Sequence, residues 1–138
     1  MLKFVGEFHP FFVHFPVALI LVTGVAEVLY VMRRSSWLGD AARFMIIAAA
    51  WMALPTMLSG FAAASGQVFT PEQQQAFAIH RIAGIVVPCL GVLTAGLAMS
   101  ARRTGQIWEL MLYRVFLGAA VAAVIVAGIM GGELVHGL

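Results

Sequence analysis

The chain alternates long apolar stretches with short polar interruptions. Continuous runs cover residues 10–32, 41–64, 77–100 and 107–136, broken only by scattered glycines, prolines and a few ionisable side chains. Roughly 20 apolar residues of α-helix cross a hydrocarbon core about 30 Å thick, so each run predicts one transmembrane helix. The runs are rich in Ala and Leu and lack the short alternating segments of a membrane strand, which argues against a barrel. The expected fold is all-α, an integral-membrane four-helix bundle forming one domain over residues 1–138. The first run carries His9, Pro10, His14, Pro16 and Glu27 and has no convincing small-residue cleavage site. It therefore reads as a retained helix rather than a secretion signal.

The polar interruptions set an expected orientation. Arg33, Arg34, Asp40 and Arg43 separate the first two runs, and Arg102 and Arg103 separate the last two, whereas residues 65–76 carry only Glu72. The positive-inside rule places the arginine-bearing loops in the cytoplasm and both termini on the extracytoplasmic side. In the intervening loop, Thr70, Pro71 and Glu72 precede three glutamines, which predicts a helix start with threonine as the cap and proline at the first helical position.

Composition removes several classes. The 138 residues are 62% hydrophobic and 10% charged, and the mean hydropathy is +0.99. Nothing is left over for a soluble catalytic domain. The formal charge of +2 is small and collects at the ends of apolar runs, so nucleic acid is not an expected partner. The single cysteine, Cys89, sits within an apolar run and offers neither a disulfide nor a Cys-based metal site. The eight methionines are dispersed, which fits soft-metal transport poorly. Trp37, Trp108 and Tyr113 lie near the arginine-bearing boundary, as in an aromatic belt.

The candidate chemistry is in the histidines. With the termini outside, His9, His14, His80 and His136 all fall toward the same face of the membrane. At 1.5 Å per residue, His14 and His80 each lie roughly 5 Å inside their helix starts, a depth at which an imidazole needs a partner or a polar cavity. Two such imidazoles from different helices are the axial ligands a haem iron takes. His80, Gly84 and Gly91 fall on one helical stripe that could lie against a flat ring, and Arg81 could pair with a propionate or snorkel outward. His9 and His136 are assigned support roles or a second axial pair, so one haem or two could be held. No Cys-x-x-Cys-His attachment sequence occurs, so the haem would be noncovalent haem b. A different metal such as copper, or interfacial hydrogen bonding without any cofactor, explains the same residues.

Toward the other face, Glu27 and Arg114 lie at similar depths, and pairing spares each the cost of an isolated charge. The alternative there is a quinone or proton site formed with Tyr30 and Tyr113. Gly128 and Gly132 make a small-x-x-x-small surface suited to helix packing. Pro16, Pro55 and Pro88 each remove one helical hydrogen bond and free the carbonyls of Phe12, Trp51 and Gly84.

The opening His9-Pro10-Phe11-Phe12-Val13-His14-Phe15-Pro16, with Val17-Ala18-Leu19, resembles the H-P-x-x-V-H-F-P-I-A-L signature of the bacterial membrane-protein family known as domain of unknown function 2231. The closing Gly131-Gly132-Glu133-Leu134-Val135 resembles that family's G-G-x-L-V ending, and Ser65-Gly66 and His80 match in kind and order. The chain departs from the pattern where Val135 runs directly into His136-Gly137. The resemblance implies a small four-helix protein of the bacterial cytoplasmic membrane that binds haem beside cytochrome-type redox modules. Together these readings point to an electron-transfer subunit of a respiratory or photosynthetic assembly. Its partners would be membrane lipid, other subunits of a redox complex or an extracytoplasmic cytochrome. A cofactor-free structural subunit and a quinone-handling or transport protein are the rival readings.

Overall fold

A computed structural model describes residues 2–65 and 67–136, with side chains for residues 4–65 and 67–134. Gly66, Gly137 and the side chains of Val135 and His136 lie outside the described residues. Among the described residues five helices follow one another: α1 (Leu2–Glu7), α2 (His9–Arg33), α3 (Ser36–Ala64), α4 (Pro71–Thr104) and α5 (Ile107–His136). The last four are long and apolar enough to cross a membrane. The short α1 was not expected from the apolar pattern; it lies against α3, where a side chain on Gly6 would come within 2.6 Å of the Ala63 Cα.

The helix ends follow local chemistry. Arg34 ends α2 in the left-handed region at φ 51°, and its N–H reaches the Tyr30 carbonyl at 2.8 Å. Gly105, at φ 68°, ends α4 and donates to the Ala101 carbonyl at 3.0 Å, a conformation that costs glycine little because it has no Cβ. At the start of α4, Thr70 Oγ1 accepts from the Gln73 N–H at 3.3 Å, and Gln73 Oε1 accepts from the Thr70 N–H at 3.2 Å. This capping box satisfies two helix-terminal donors reciprocally. Thr70→Ala is expected to weaken the first turn of α4 by about 1 kcal/mol. Hydrogen exchange should show faster amide exchange there, with the rest of the bundle unchanged.

Two antiparallel hairpins make the bundle. α2 lies along α3 and α4 along α5; the hairpins meet mainly through α3 and α4, with a smaller contact between α2 and α5. This leaves α2 and α4 diagonally opposed. The buried positions of α3 include Ala42, Ile46, Ala49, Ala53 and Thr56, a spacing of three and four that keeps one seam on its neighbours. Small residues dominate that seam because lipid provides no hydrophobic drive for association, so close backbone approach and van der Waals contact must hold the helices together. Gly91 of α4 is buried with the Ala50 Cα 3.6 Å from where a Cβ would stand. Ile20, Ile46, Val87, Leu117 and Val124 fill the remaining core. Large apolar side chains such as Val25, Phe44, Trp51, Leu58 and Val115 point outward, the arrangement a bilayer accepts and water does not.

Candidate functional site: a histidine pair across the bundle

At the end of the bundle where α2 begins, two histidines from opposite hairpins come together. The ring centroids of His9 on α2 and His80 on α4 are 6.5 Å apart, with the ring planes at 83°. His9 Nδ1 lies 3.1 Å from the Thr56 carbonyl and 3.1 Å from Ser59 Oγ. The Ser59 hydroxyl itself donates to the Thr56 carbonyl at 2.8 Å. His80 Nδ1 lies 2.9 Å from the Ala127 carbonyl of α5. A carbonyl oxygen has no proton to give, so in both rings Nδ1 carries the hydrogen and donates it. Nε2 of each neutral ring is then a lone-pair nitrogen.

Glycines make room for both rings. A Cβ on Gly60 of α3 would come within 2.9 Å of His9 Cε1, and one on Gly131 of α5 within 3.1 Å of His80 Cε1. Pro16 contributes a second tie. Because it cannot donate within the helix, the Phe12 carbonyl is free, and Thr56 Oγ1 lies 3.1 Å from it and 2.8 Å from the Met52 carbonyl. One residue of α3, Thr56, thus anchors α2 twice, through its carbonyl to His9 and through its hydroxyl to Phe12.

His14 is not beside His80. It is exposed, and its Nδ1 bonds the Pro10 carbonyl one turn back. Five residues at about 100° each put His9 and His14 roughly 140° apart around α2, so only one of them can face the bundle axis. Arg81 is also exposed, with its guanidinium carbon 6.0 Å from the centre of the Phe77 ring, which in turn stacks on Phe69 at 4.1 Å. The stripe through His80, Gly84 and Gly91 is divided among neighbours. His80 meets α5, Gly91 packs on α3, and Gly84 has open space above it. Gly128 and Gly132 likewise face open space instead of a close helix contact. The His136 backbone closes α5 at the same end of the bundle.

The opposite end holds a separate polar cluster. Arg114 Nε donates to Glu27 Oε1 at 2.8 Å, and the Tyr113 hydroxyl donates to Glu27 Oε2 at 3.2 Å. Each oxygen of this buried carboxylate therefore has a protein donor. Glu109, which the apolar pattern did not single out, is also buried and accepts from Ser100 Oγ at 2.9 Å and Thr104 Oγ1 at 2.6 Å. Asp40 is bonded by both Arg43 and Arg102, which ties α3 to the end of α4.

Thr56, Ser59 and Gly60 had no place in the pattern of histidines, yet a signal for them exists. A hairpin with a two-residue connection pairs positions equidistant from the turn, and Gly39 indeed lies under the Tyr30 ring and Gly60 under the His9 ring. The apolar runs leave the turn anywhere within residues 33–40, so Thr56, Ser59 and Gly60 become readable opposite His9 only once the connection at 34–35 is known.

The molecule is a four-helix membrane bundle with an internal histidine pair near one end. The family model described as "Predicted membrane protein (DUF2231)" matches residues 7–138. The chain belongs to that family, as its opening and closing motifs imply. No curated protein and no solved structure matches it.

Proposed function

We propose that this protein is a membrane-embedded electron-transfer subunit that holds a noncovalent b-type haem between His9 and His80. The observation that carries this reading is the 6.5 Å separation of the two rings, each steered by a backbone carbonyl so that its Nε2 lone pair is left for a metal. Two imidazoles sharing one metal ion at about 2 Å per bond have ring centroids roughly 6 Å apart. A second hydrogen bond from the far ring nitrogen to a carbonyl is the usual support of a metal-bound histidine, fixing both tautomer and orientation. Among the described residues no group of three His, Cys, Asp or Glu side chains could hold a metal ion. Two axial nitrogens are what a haem iron asks of the protein, whereas a bare transition metal asks for more.

A bound haem supplies one-electron transfer at its iron. The chain's own residues orient the ligands: Thr56 and Ser59 hold His9, Ala127 holds His80, and Gly60 and Gly131 leave both rings their space. The two ligands come from different hairpins, so the site joins the halves of the bundle. With the arginine-bearing loops in the cytoplasm, the histidine pair stands toward the extracytoplasmic face of the bacterial inner membrane, within reach of an extracytoplasmic cytochrome or a neighbouring subunit of a respiratory or photosynthetic assembly. Exposed His14 and Arg81 are left for that partner or for the lipid interface.

The test is a reduced-minus-oxidised visible spectrum of the protein purified in mild detergent from haem-sufficient cells. A sharp b-type band is expected in the wild type and in His14→Ala, and its loss in His9→Ala at equal yield of folded protein. A wild type without the band, or a His9→Ala variant that keeps it unchanged, would overturn the assignment.

A further inference from the structure

At the end of the bundle opposite the histidines, all four long helices contribute to a cavity of about 210 Å³. Its lining includes Glu27, Tyr30, Arg43, Arg102, Gln106 and Tyr113. Each Glu27 oxygen already takes one donor, from Arg114 or Tyr113, and the Arg114 guanidinium offsets its charge. Donors dominate what is left. Arg43 and Arg102 share one carboxylate, Asp40, so two guanidinium groups are balanced by a single negative charge. The Gln106 amide and the Tyr30 hydroxyl add neutral donors to the same wall.

Two further features locate this cavity. Trp37 and Trp108 are 66% and 57% exposed, on the first turns of α3 and α5, where an indole marks the level of lipid headgroups. Arg33, Arg34 and Arg103 are exposed at the same end, which raises the positive potential around the cavity mouth. A basic pocket between membrane helices at headgroup depth matches the charge and geometry of a phosphate oxyanion, which a guanidinium binds through paired, charge-assisted hydrogen bonds.

We propose that this cavity binds a phosphate monoanion, normally the phosphodiester of an anionic phospholipid headgroup, through Arg43 and Arg102, with Asp40 acting as the internal competitor that the lipid displaces from the two arginines. The site has no need of the haem assignment. Binding would clamp the first turns of α3 against the end of α4, the job Asp40 does in the lipid's absence.

Native mass spectrometry of the full-length protein, with phosphatidylglycerol and phosphatidylcholine of matched acyl chains, tests this directly. The wild type is expected to retain phosphatidylglycerol in preference to phosphatidylcholine by about tenfold, in line with two basic contacts partly offset by Asp40. Arg43→Gln with Arg102→Gln should bring the two lipids to parity, while Arg103→Gln, which lies outside the cavity, should keep the preference. Asp40→Asn should increase phosphatidylglycerol retention, a gain that loss of folding would not produce. Inorganic phosphate at millimolar concentration should displace phosphatidylglycerol from the wild type. If phosphate instead raises the thermal stability of the wild type but not of the double variant, without any lipid preference, the same oxyanion site serves a soluble phosphate. Equal retention of both lipids together with no effect of phosphate, or an undiminished preference in the double variant, overturns the proposal.

Discussion

His80→Gly is expected to abolish the b-type spectrum, and free imidazole is expected to restore it. The substitution removes one lone-pair nitrogen while leaving the Ala127 carbonyl and the space over Gly131 in place, so a small imidazole has both a cavity to enter and a hydrogen-bond acceptor to orient it. A merely structural histidine would leave no absorbance to rescue, and a non-ligand histidine would leave the band intact. The decisive comparison is the reduced spectrum of His80→Gly with and without imidazole, alongside His14→Gly treated identically. Recovery confined to His80→Gly supports axial ligation. A band that survives in His80→Gly without imidazole rules it out.

The second large effect concerns stability at the opposite end. Arg114→Ala leaves the buried Glu27 carboxylate with only the Tyr113 hydroxyl, and breaking a buried pair from one side costs more than the pair itself contributes. A loss of about 2–4 kcal/mol is expected, toward the low end of that class because the Arg114 side chain is 37% exposed and part of the charge pair is already screened. Glu27→Gln should cost less, about 1–2 kcal/mol, because the remaining guanidinium can extend its head toward the interface. Thermal unfolding in detergent, followed by tryptophan fluorescence, should therefore rank Arg114→Ala well below Glu27→Gln. The reverse order would mean that the arginine, and not the carboxylate, is the group that depends on the pair.

The Glu27–Arg114 pair and the histidine pair differ in how much of each the sequence makes legible. Glu27 and Arg114 could be matched along the chain because each is a lone charge in an apolar helix at similar depth, and in low dielectric such charges have few ways to be accommodated. The histidines were harder. Depth alone matched His14 with His80, since both lie a turn or so inside their apolar runs, although α4 itself begins six residues before its run, at Pro71. Depth does not report direction around the helix, and the roughly 140° between His9 and His14 means the choice between them depends on which face of α2 meets the bundle axis. Thr56 makes that choice by bonding the carbonyl that Pro16 freed.

The glycines show the same division. Gly91 was expected on the stripe beside His80; it packs on Ala50 because a single stripe of α4 meets α5 at one level and α3 at another. Gly60 and Gly131, by contrast, lie opposite His9 and His80 within their own hairpins, where short connections hold the register.

By itself, the amino-acid sequence determined that this chain enters a membrane, how many times its long helices can cross, and where α4 begins at Thr70 and Pro71. These follow from local quantities: apolar length against bilayer thickness, and the missing donor of proline at a helix start. Only the tertiary structure decided that His9 rather than His14 stands 6.5 Å from His80, and that Arg43 and Arg102 converge on Asp40. Both arrangements depend on how one hairpin is rotated and set against the other, and that is governed by the fit of many small side chains along α3 and α4, which no single segment encodes.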